Sequence, residues 1–221
     1  MTDTLDAPDP PDAPPVIRVA PDRQAAVTDV LCEAFRAYPV MRFVLGEEAD
    51  DPDRLRRLVD FFVSARFLRD EPVLGIAAPD EEGALAAAAL VSFPGIGESP
   101  PELGELREAV WAELGSDARS RYETCGRTWE PLLSVDVPHI HLNMIGVGRR
   151  WRGRGLGGRI LRSVHRLSRE RSGSRGVTLT TEDPRNLPLY ERFGYRRLGH
   201  ARIAPELETW SLMWREEPSG A

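Results

Sequence analysis

Lysine is missing from this chain. All 29 basic side chains are arginine, so chemistry through a lysine Schiff base is excluded. Cysteine is nearly missing too. Cys32 and Cys125 lie far apart and neither sits in a C-x-x-C pair, so neither a disulfide framework nor a metal knuckle is indicated, and both read as packed thiols. No apolar run reaches the ~20 residues of a membrane-spanning helix, so no membrane partner is expected. There is no overall excess of positive charge: the formal net charge is −6, which disfavours wholesale nucleic-acid binding. The acidic, proline-rich start has no secretory-signal pattern, and a reducing cytoplasm is the expected location. No segment repeats internally.

What is present suits a globular domain. The 221 residues are 41% hydrophobic and 29% charged, enough for one domain with a sizeable core. Charge is unevenly spread. Residues 147–175 carry ten arginines against one acid, Glu170. One reading is a solvated helix face; the other is a local anion site in an acidic protein. The stretch from Val147 to Gly158 favours the second. An apolar run, Ile140 to Val147, leads in, and a helix-period run from Arg154 to Arg171 leads out. Glycines let the backbone approach a ligand. A helix start offers free N–H groups and the positive end of the dipole. Together they form a phosphate site, ringed by Arg149, Arg150, Arg152, Arg154 and Arg159. The run lacks the Gly-Lys-Ser/Thr ending of a nucleotide P-loop. It contains G-x-G-x-x-G as Gly153, Gly155 and Gly158. A dinucleotide fold, however, places the first glycine close to the strand, and here Gly148 to Arg152 intervene.

The run Arg152-Gly153-Arg154-Gly155-Leu156-Gly157 resembles the Gln/Arg-x-x-Gly-x-Gly/Ala motif of the GNAT superfamily of acyl-CoA-dependent N-acetyltransferases. Downstream, Asp183-Pro184-Arg185-Asn186-Leu187-Pro188-Leu189-Tyr190-Glu191-Arg192-Phe193-Gly194-Tyr195 resembles a segment of the puromycin-acetyltransferase group within it. Both resemblances fall in the last third of the chain. They imply a GNAT fold: a mixed central sheet of about seven strands flanked by helices, with a helical insert before the fourth strand. They also imply acetyl-CoA as cosubstrate, with no metal. Contacts to it would come from Ile145, Gly146, Val147, Arg152, Gly153, Arg154, Gly155, Leu156, Gly157, Gly158 and Asn186.

The pattern along the chain agrees in order. Residues 1–15 read as a disordered Asp/Pro-rich tail, 16–215 as a single domain and 216–221 as a second tail. Val16 to Val19 alternates as a strand. A helix opens at Pro21-Asp22 and runs to Phe35. Tyr38 to Gly46 breaks it, either as a packed connection or, as the resemblance implies, as a loop lining the acceptor pocket. Leu55 to Leu68 is a helix, and Val73–Ala78 and Ala84–Phe93 are two strands of a hairpin. Two helices, Glu102–Leu114 and Asp117–Leu133, form the insert; of its Trp111, Tyr122 and Trp129, one at most is expected near the acceptor. His139 to Val147 is the fourth strand. Alternation puts His139, His141 and Asn143 on one face and Ile140, Leu142 and Met144 on the other. Gly146 suggests a bulge or a close backbone approach. Val177 to Thr181 is the fifth strand, and a short helix follows from Pro184 to Gly194. Tyr195–Arg202 and Leu207–Trp214 are the last strands. The order is β-α-α-β-β-(α-α)-β-α-β-α-β-β.

Direct acetyl transfer from a thioester needs a neutral amine, oxyanion stabilisation and a proton for the departing thiolate. By the resemblance, Tyr190 is the general acid; a phenol, with a reference pKa of about 10, still carries its proton at neutral pH. The alternative is a buried tyrosine used as a tether. Asn186, four residues earlier, shares its helix face; it contacts pantetheine, holds the tyrosine, or caps the helix. His141 is the candidate general base, with a reference pKa of about 6.5, and His139 is the alternative. The expected acceptor is a small amine, with drugs and antibiotics among the candidates, and a monomer or homodimer is expected. Two other classes stand beside this one: a non-catalytic acyl-CoA-binding module, and an arginine-rich nucleic-acid binder.

Overall fold

The computed structural model describes residues 14–95 and 99–216. Most of both expected tails therefore lies outside the described residues. Seven strands form one sheet: β1 (Val16–Arg18), β2 (Val73–Ala77), β3 (Leu85–Ser92), β4 (Ile140–Val147), β5 (Gly176–Thr181), β6 (Arg196–Ala204) and β7 (Leu207–Arg215). Their order is β1-β2-β3-β4-β5-β7-β6. Only the central β4–β5 pair is parallel; every other pair is antiparallel. Helices cover both faces, which is why β3 is buried along nearly its whole length and reads as a continuous apolar run.

One face carries α1 (Gln24–Phe35), α2 (Pro39–Leu45), α3 (Pro52–Leu68), α4 (Pro101–Leu114) and α5 (Ser116–Leu133). Their apolar stripes meet Ala88 and Leu90 of β3 in one core. The helix α3 starts where Asp51 accepts from the Asp53 N–H at 2.9 Å and Pro52 takes the first helical position. The other face carries α6 (Leu156–Glu170) and α7 (Leu187–Arg192). Here Ile160, Leu161 and Val164 pack on Ala87, Ala89 and Val91 in a second core.

Two expectations change. The Tyr38–Gly46 break is largely a helix, α2, with Val40, Met41, Val44 and Leu45 in the core. Pro39 at its first position starts the helix rather than ending one. On α6, His165 is 6% exposed and stacks on Trp214 at 4.1 Å between ring centroids. The face assignment along β4 holds for only half the strand. Leu90 pairs with Met144 but Val91 with Leu142, so Asn143 is an extra residue. This bulge inverts the alternation. Ile140 and Leu142 face the α6 core, whereas Met144 faces the α1–α3 core. The bulge thus sits at Asn143 and not at Gly146. Gly146 marks a close approach instead: a Cβ there would lie 2.7 Å from Ala34 Cβ.

Candidate active site

β4 and β5 pair only from Ile140↔Val177 to Leu142↔Leu179. Both strands run on, to Val147 and Thr181, without pairing to each other, each held only by its outer neighbour, β3 or β7. The sheet therefore opens into a V at its centre. A cavity of about 310 Å³ fills this opening and is walled by Ile145 and Met144 on one arm and by Leu179, Thr180 and Glu182 on the other. Its far wall is aromatic: Tyr38, Phe62, Tyr122 and Trp129. Both Tyr122 and Trp129 of the insert line it, one more than expected, while Trp111 is buried in the core.

At the mouth of the V the chain passes through one 3-10 turn, Arg149–Trp151, and enters α6. Gly153 and Gly155 have φ of 76° and 75°, values that glycine adopts without strain. A Cβ at either meets nothing within 4 Å, so the turn is uncrowded by protein. Gly155 is the N-cap of α6 and supplies no side-chain cap, which leaves the first N–H groups for a ligand. Arg152, Gly153 and Arg154 are exposed around it, while Leu156 anchors the turn in the core. The other positions differ. Gly158 packs on the ring of Phe193, and a Cβ there would lie 2.5 Å from Cζ. Arg150 is turned to the β2–β3 hairpin, pairing with Asp80 at 3.2 Å and Glu81 at 2.6 Å.

Tyr190 and Asn186 come from the segment after β5. Asp183 accepts from the Arg185 N–H at 3.0 Å and starts the turn Pro184–Asn186, which α7 continues. Tyr190 is buried and lines the cavity. Burial, with Glu182 adding, raises its phenol well above the ordinary value, so it stays protonated. Asn186 stands at the N-cap position of α7 but makes no cap bond. Its Nδ2 donates to Thr181 Oγ1 at 3.2 Å. Thr181 Oγ1 in turn meets the Tyr38 hydroxyl at 3.0 Å, and that hydroxyl accepts from the Glu182 N–H at 3.0 Å.

Both histidines line one hollow beside the cavity, but only His141 also lines the cavity itself. His141 lines the cavity with Tyr190. Its Nδ1 meets Thr178 Oγ1 at 3.0 Å. Burial, helped by His139 and Arg66, pushes its imidazole down to about 3, so it is neutral at pH 7. His139 lies outside this cavity, on a neighbouring hollow with Arg69 and Glu71, its Nδ1 2.8 Å from the Val137 carbonyl.

Sequence reasoning passed over Glu182. It follows a buried strand directly and is 6% exposed. Its Oε1 accepts from Trp129 Nε1 at 3.1 Å and from Thr209 Oγ1 at 2.7 Å. Burial raises its carboxyl, against these hydrogen bonds. The one sequence signal was an acid placed immediately after the apolar run Val177–Thr181.

Several solved structures share this architecture. A polyamine N-acetyltransferase of Drosophila melanogaster, an enzyme that forms N-acetylagmatine, is 17% identical, with a TM-score of 0.67 over 91% of this chain and 99% of that one. An acetyltransferase of Corynebacterium glutamicum, described as histone acetyltransferase HPA2 and related acetyltransferase, is 18% identical, with a TM-score of 0.65 over 94% and 99%. Arylalkylamine N-acetyltransferase 2 of Aedes aegypti is 15% identical, with a TM-score of 0.57 over 90% and 96%. Identities this low show the fold alone. A protein of Dictyostelium discoideum, named a probable serine/threonine-protein kinase, is 25% identical in an alignment of length 157 that covers 63% of this chain but only 16% of that protein's length. The family model described as acetyltransferase (GNAT) family matches residues 47–195, from α2's end through the V and α7. The chain belongs to the GNAT acetyltransferase family.

Proposed function

We propose that the protein is an N-acetyltransferase that moves an acetyl group from acetyl-CoA directly to the amine of a small molecule. The observation that carries this reading is the V between β4 and β5, with a free helix start at one side of it and the Tyr190 side chain on its wall. The open Gly153–Gly155 turn suits a pyrophosphate, held by backbone N–H groups with Arg152 and Arg154 beside it. Residues Ile145 to Val147 have a β4 edge that β5 leaves unpaired, and that edge suits the pantetheine amides. Acetyl-CoA supplies the activated acetyl thioester. Asn186, through Thr181, holds the end of β5 and the start of α7 in register. Tyr190 gives its proton to the leaving sulfur. His141, neutral beside it, bounds the pocket. As a general base it would act from a pKa pushed far below that of any amine. The puromycin-acetyltransferase group is supported within the family by the Asn186–Tyr190 spacing and by the two-helix insert, α4 and α5.

The test mixes the protein with acetyl-CoA and a panel of amines and reads free thiol. Tyr190→Phe removes one oxygen and little volume. A general acid contributes roughly 10²–10⁴-fold, so kcat should fall by about a hundredfold with the acetyl-CoA Kd nearly unchanged. A stable variant with parental turnover would remove Tyr190 as the acid.

A further inference from the structure

We propose that Glu182 binds the acceptor and takes its proton, and that the acceptor is a singly charged amine with an apolar or aromatic body. This rests on the acetyl-transfer reading for the reaction, though not for the binding.

Burying a carboxylate is costly unless it is hydrogen-bonded and paired. Glu182 is hydrogen-bonded but not paired. Among the described residues, no cationic side chain comes within ion-pair distance of it. The one guanidinium on the described cavity wall, Arg66, is held elsewhere, by Glu71 at 3.2 Å and by Asn143 Oδ1 at 3.1 Å. The Trp129 and Thr209 donors both meet Oε1, the Tyr38 hydroxyl also bonds the carboxylate, and a carboxylate has about four acceptor sites on its two oxygens. Oε2 therefore retains capacity for an ammonium in the cavity that Glu182 lines. The missing countercharge is the ligand's.

The rest of the lining sets the body of that ligand. Phe62, Tyr122 and Trp129 form a continuous aromatic wall, with centroids 5.8 Å apart for the first pair and 6.4 Å for the second. Glu182 is the sole carboxylate among the described lining residues. A monoamine with a ring or a short apolar chain satisfies every surface. A polyamine would bring a second ammonium with no carboxylate to meet it.

The same placement completes the proton account. An amine arrives as R–NH3⁺ at neutral pH. Glu182 takes one proton and frees the nitrogen lone pair. The N–C bond to the acetyl carbon forms as the C–S bond breaks. Tyr190 gives its proton to sulfur and recovers one from the nitrogen, and Glu182 later returns its proton to solvent. The titratable groups that face Glu182 are Tyr38, Cys125 and Tyr190. Burial raises all three, Cys125 to about 12, so each is neutral at pH 7 and none competes for the charge.

The test uses Glu182→Gln, whose Oε1 can still accept from Trp129 and Thr209. Binding of phenylethylammonium is measured by calorimetry with parent and variant, with phenylethanol as the neutral control and melting temperature and CoA affinity as fold controls. Turnover is measured with phenylethylamine and tryptamine against putrescine and spermidine. The parent should bind and acetylate the monoamines in preference to the polyamines. Glu182→Gln should weaken ammonium binding at least tenfold, leave phenylethanol and CoA binding unchanged, and lower kcat/KM about a hundredfold at pH 7, with partial recovery near pH 9.5 as the amine loses its proton unaided. Loss of ammonium binding without any parental turnover would uphold the anchor and defeat the acetyltransferase reading. A Gln variant as active as the parent would do the reverse. A parent that neither binds nor acetylates the monoamines, or one that prefers polyamines, overturns the inference.

Discussion

Gly157 and Gly158 are neighbours in a glycine-rich turn, yet they answer to different constraints. A Cβ at Gly157 would sit 3.7 Å from Val147 Cγ2, an ordinary contact, whereas one at Gly158 would sit 2.5 Å from Phe193 Cζ. Alanine is favoured over glycine in a helix by roughly 1 kcal/mol, and overpacking costs about 1–3 kcal/mol. Gly157→Ala should therefore leave stability equal or slightly higher in urea unfolding, while Gly158→Ala should lower it by up to about 2 kcal/mol. Gly158→Ala as stable as Gly157→Ala would mean that Phe193 is free to move. From sequence all these glycines look alike, because spacing cannot say whether a missing Cβ makes room for a ligand or for the Phe193 ring at the far end of α7. Tyr190 and Asn186 were legible because their neighbours form a contiguous motif. Glu182 was not: its partners, Trp129 and Thr209, come from distant elements, and a lone acid after a strand looks like the start of a loop.

The elements α5 and β4 show the same limit at a larger scale. Helix periodicity placed α5 well, but could not say which of its aromatic residues faces a cavity and which a core. In β4 the alternation was read through unbroken, and one extra residue at Asn143 inverted it. A polar, exposed Asn143 fits either phase, so nothing local announced the bulge. The helix α5 reaches Glu182 through a hydrogen bond, Trp129 Nε1 to Oε1. That bond favours the charged carboxylate, against the burial that raises its pKa. In Trp129→Phe the carboxyl should rise further, so the acid limb of the kcat/KM profile should move to higher pH. An acid limb that stays where it was would detach α5 from the proton-accepting group.

For the molecule as a whole, two buried histidines set the acid response. Burial pushes His141 and His165 each down to about 3. In the unfolded chain they titrate near 6.5. Above that value both states are neutral and the full stability is present. As the pH falls from about 6.5 towards 3, only the unfolded chain takes up these protons, and each histidine removes about 1.4 kcal/mol per pH unit. Glu182, whose folded carboxyl is raised, returns part of the loss on the way down. Urea midpoints measured from pH 7.5 to 4.5 should fall, and His165→Asn should flatten the slope whatever it does to the level. A constant midpoint across that range would contradict the burial of both rings. The sheet also divides the molecule into two cores, one under α1–α5 and the other under α6–α7. Substitutions on opposite sides of it share few neighbours, so their energies should add, whereas pairs within one core should not. On the proposed reaction, the aromatic wall that α3 and α5 lend to the cavity can change in one core while the glycine turn that opens α6 keeps its footing in the other. Such a chain could trade its acceptor without rebuilding the turn.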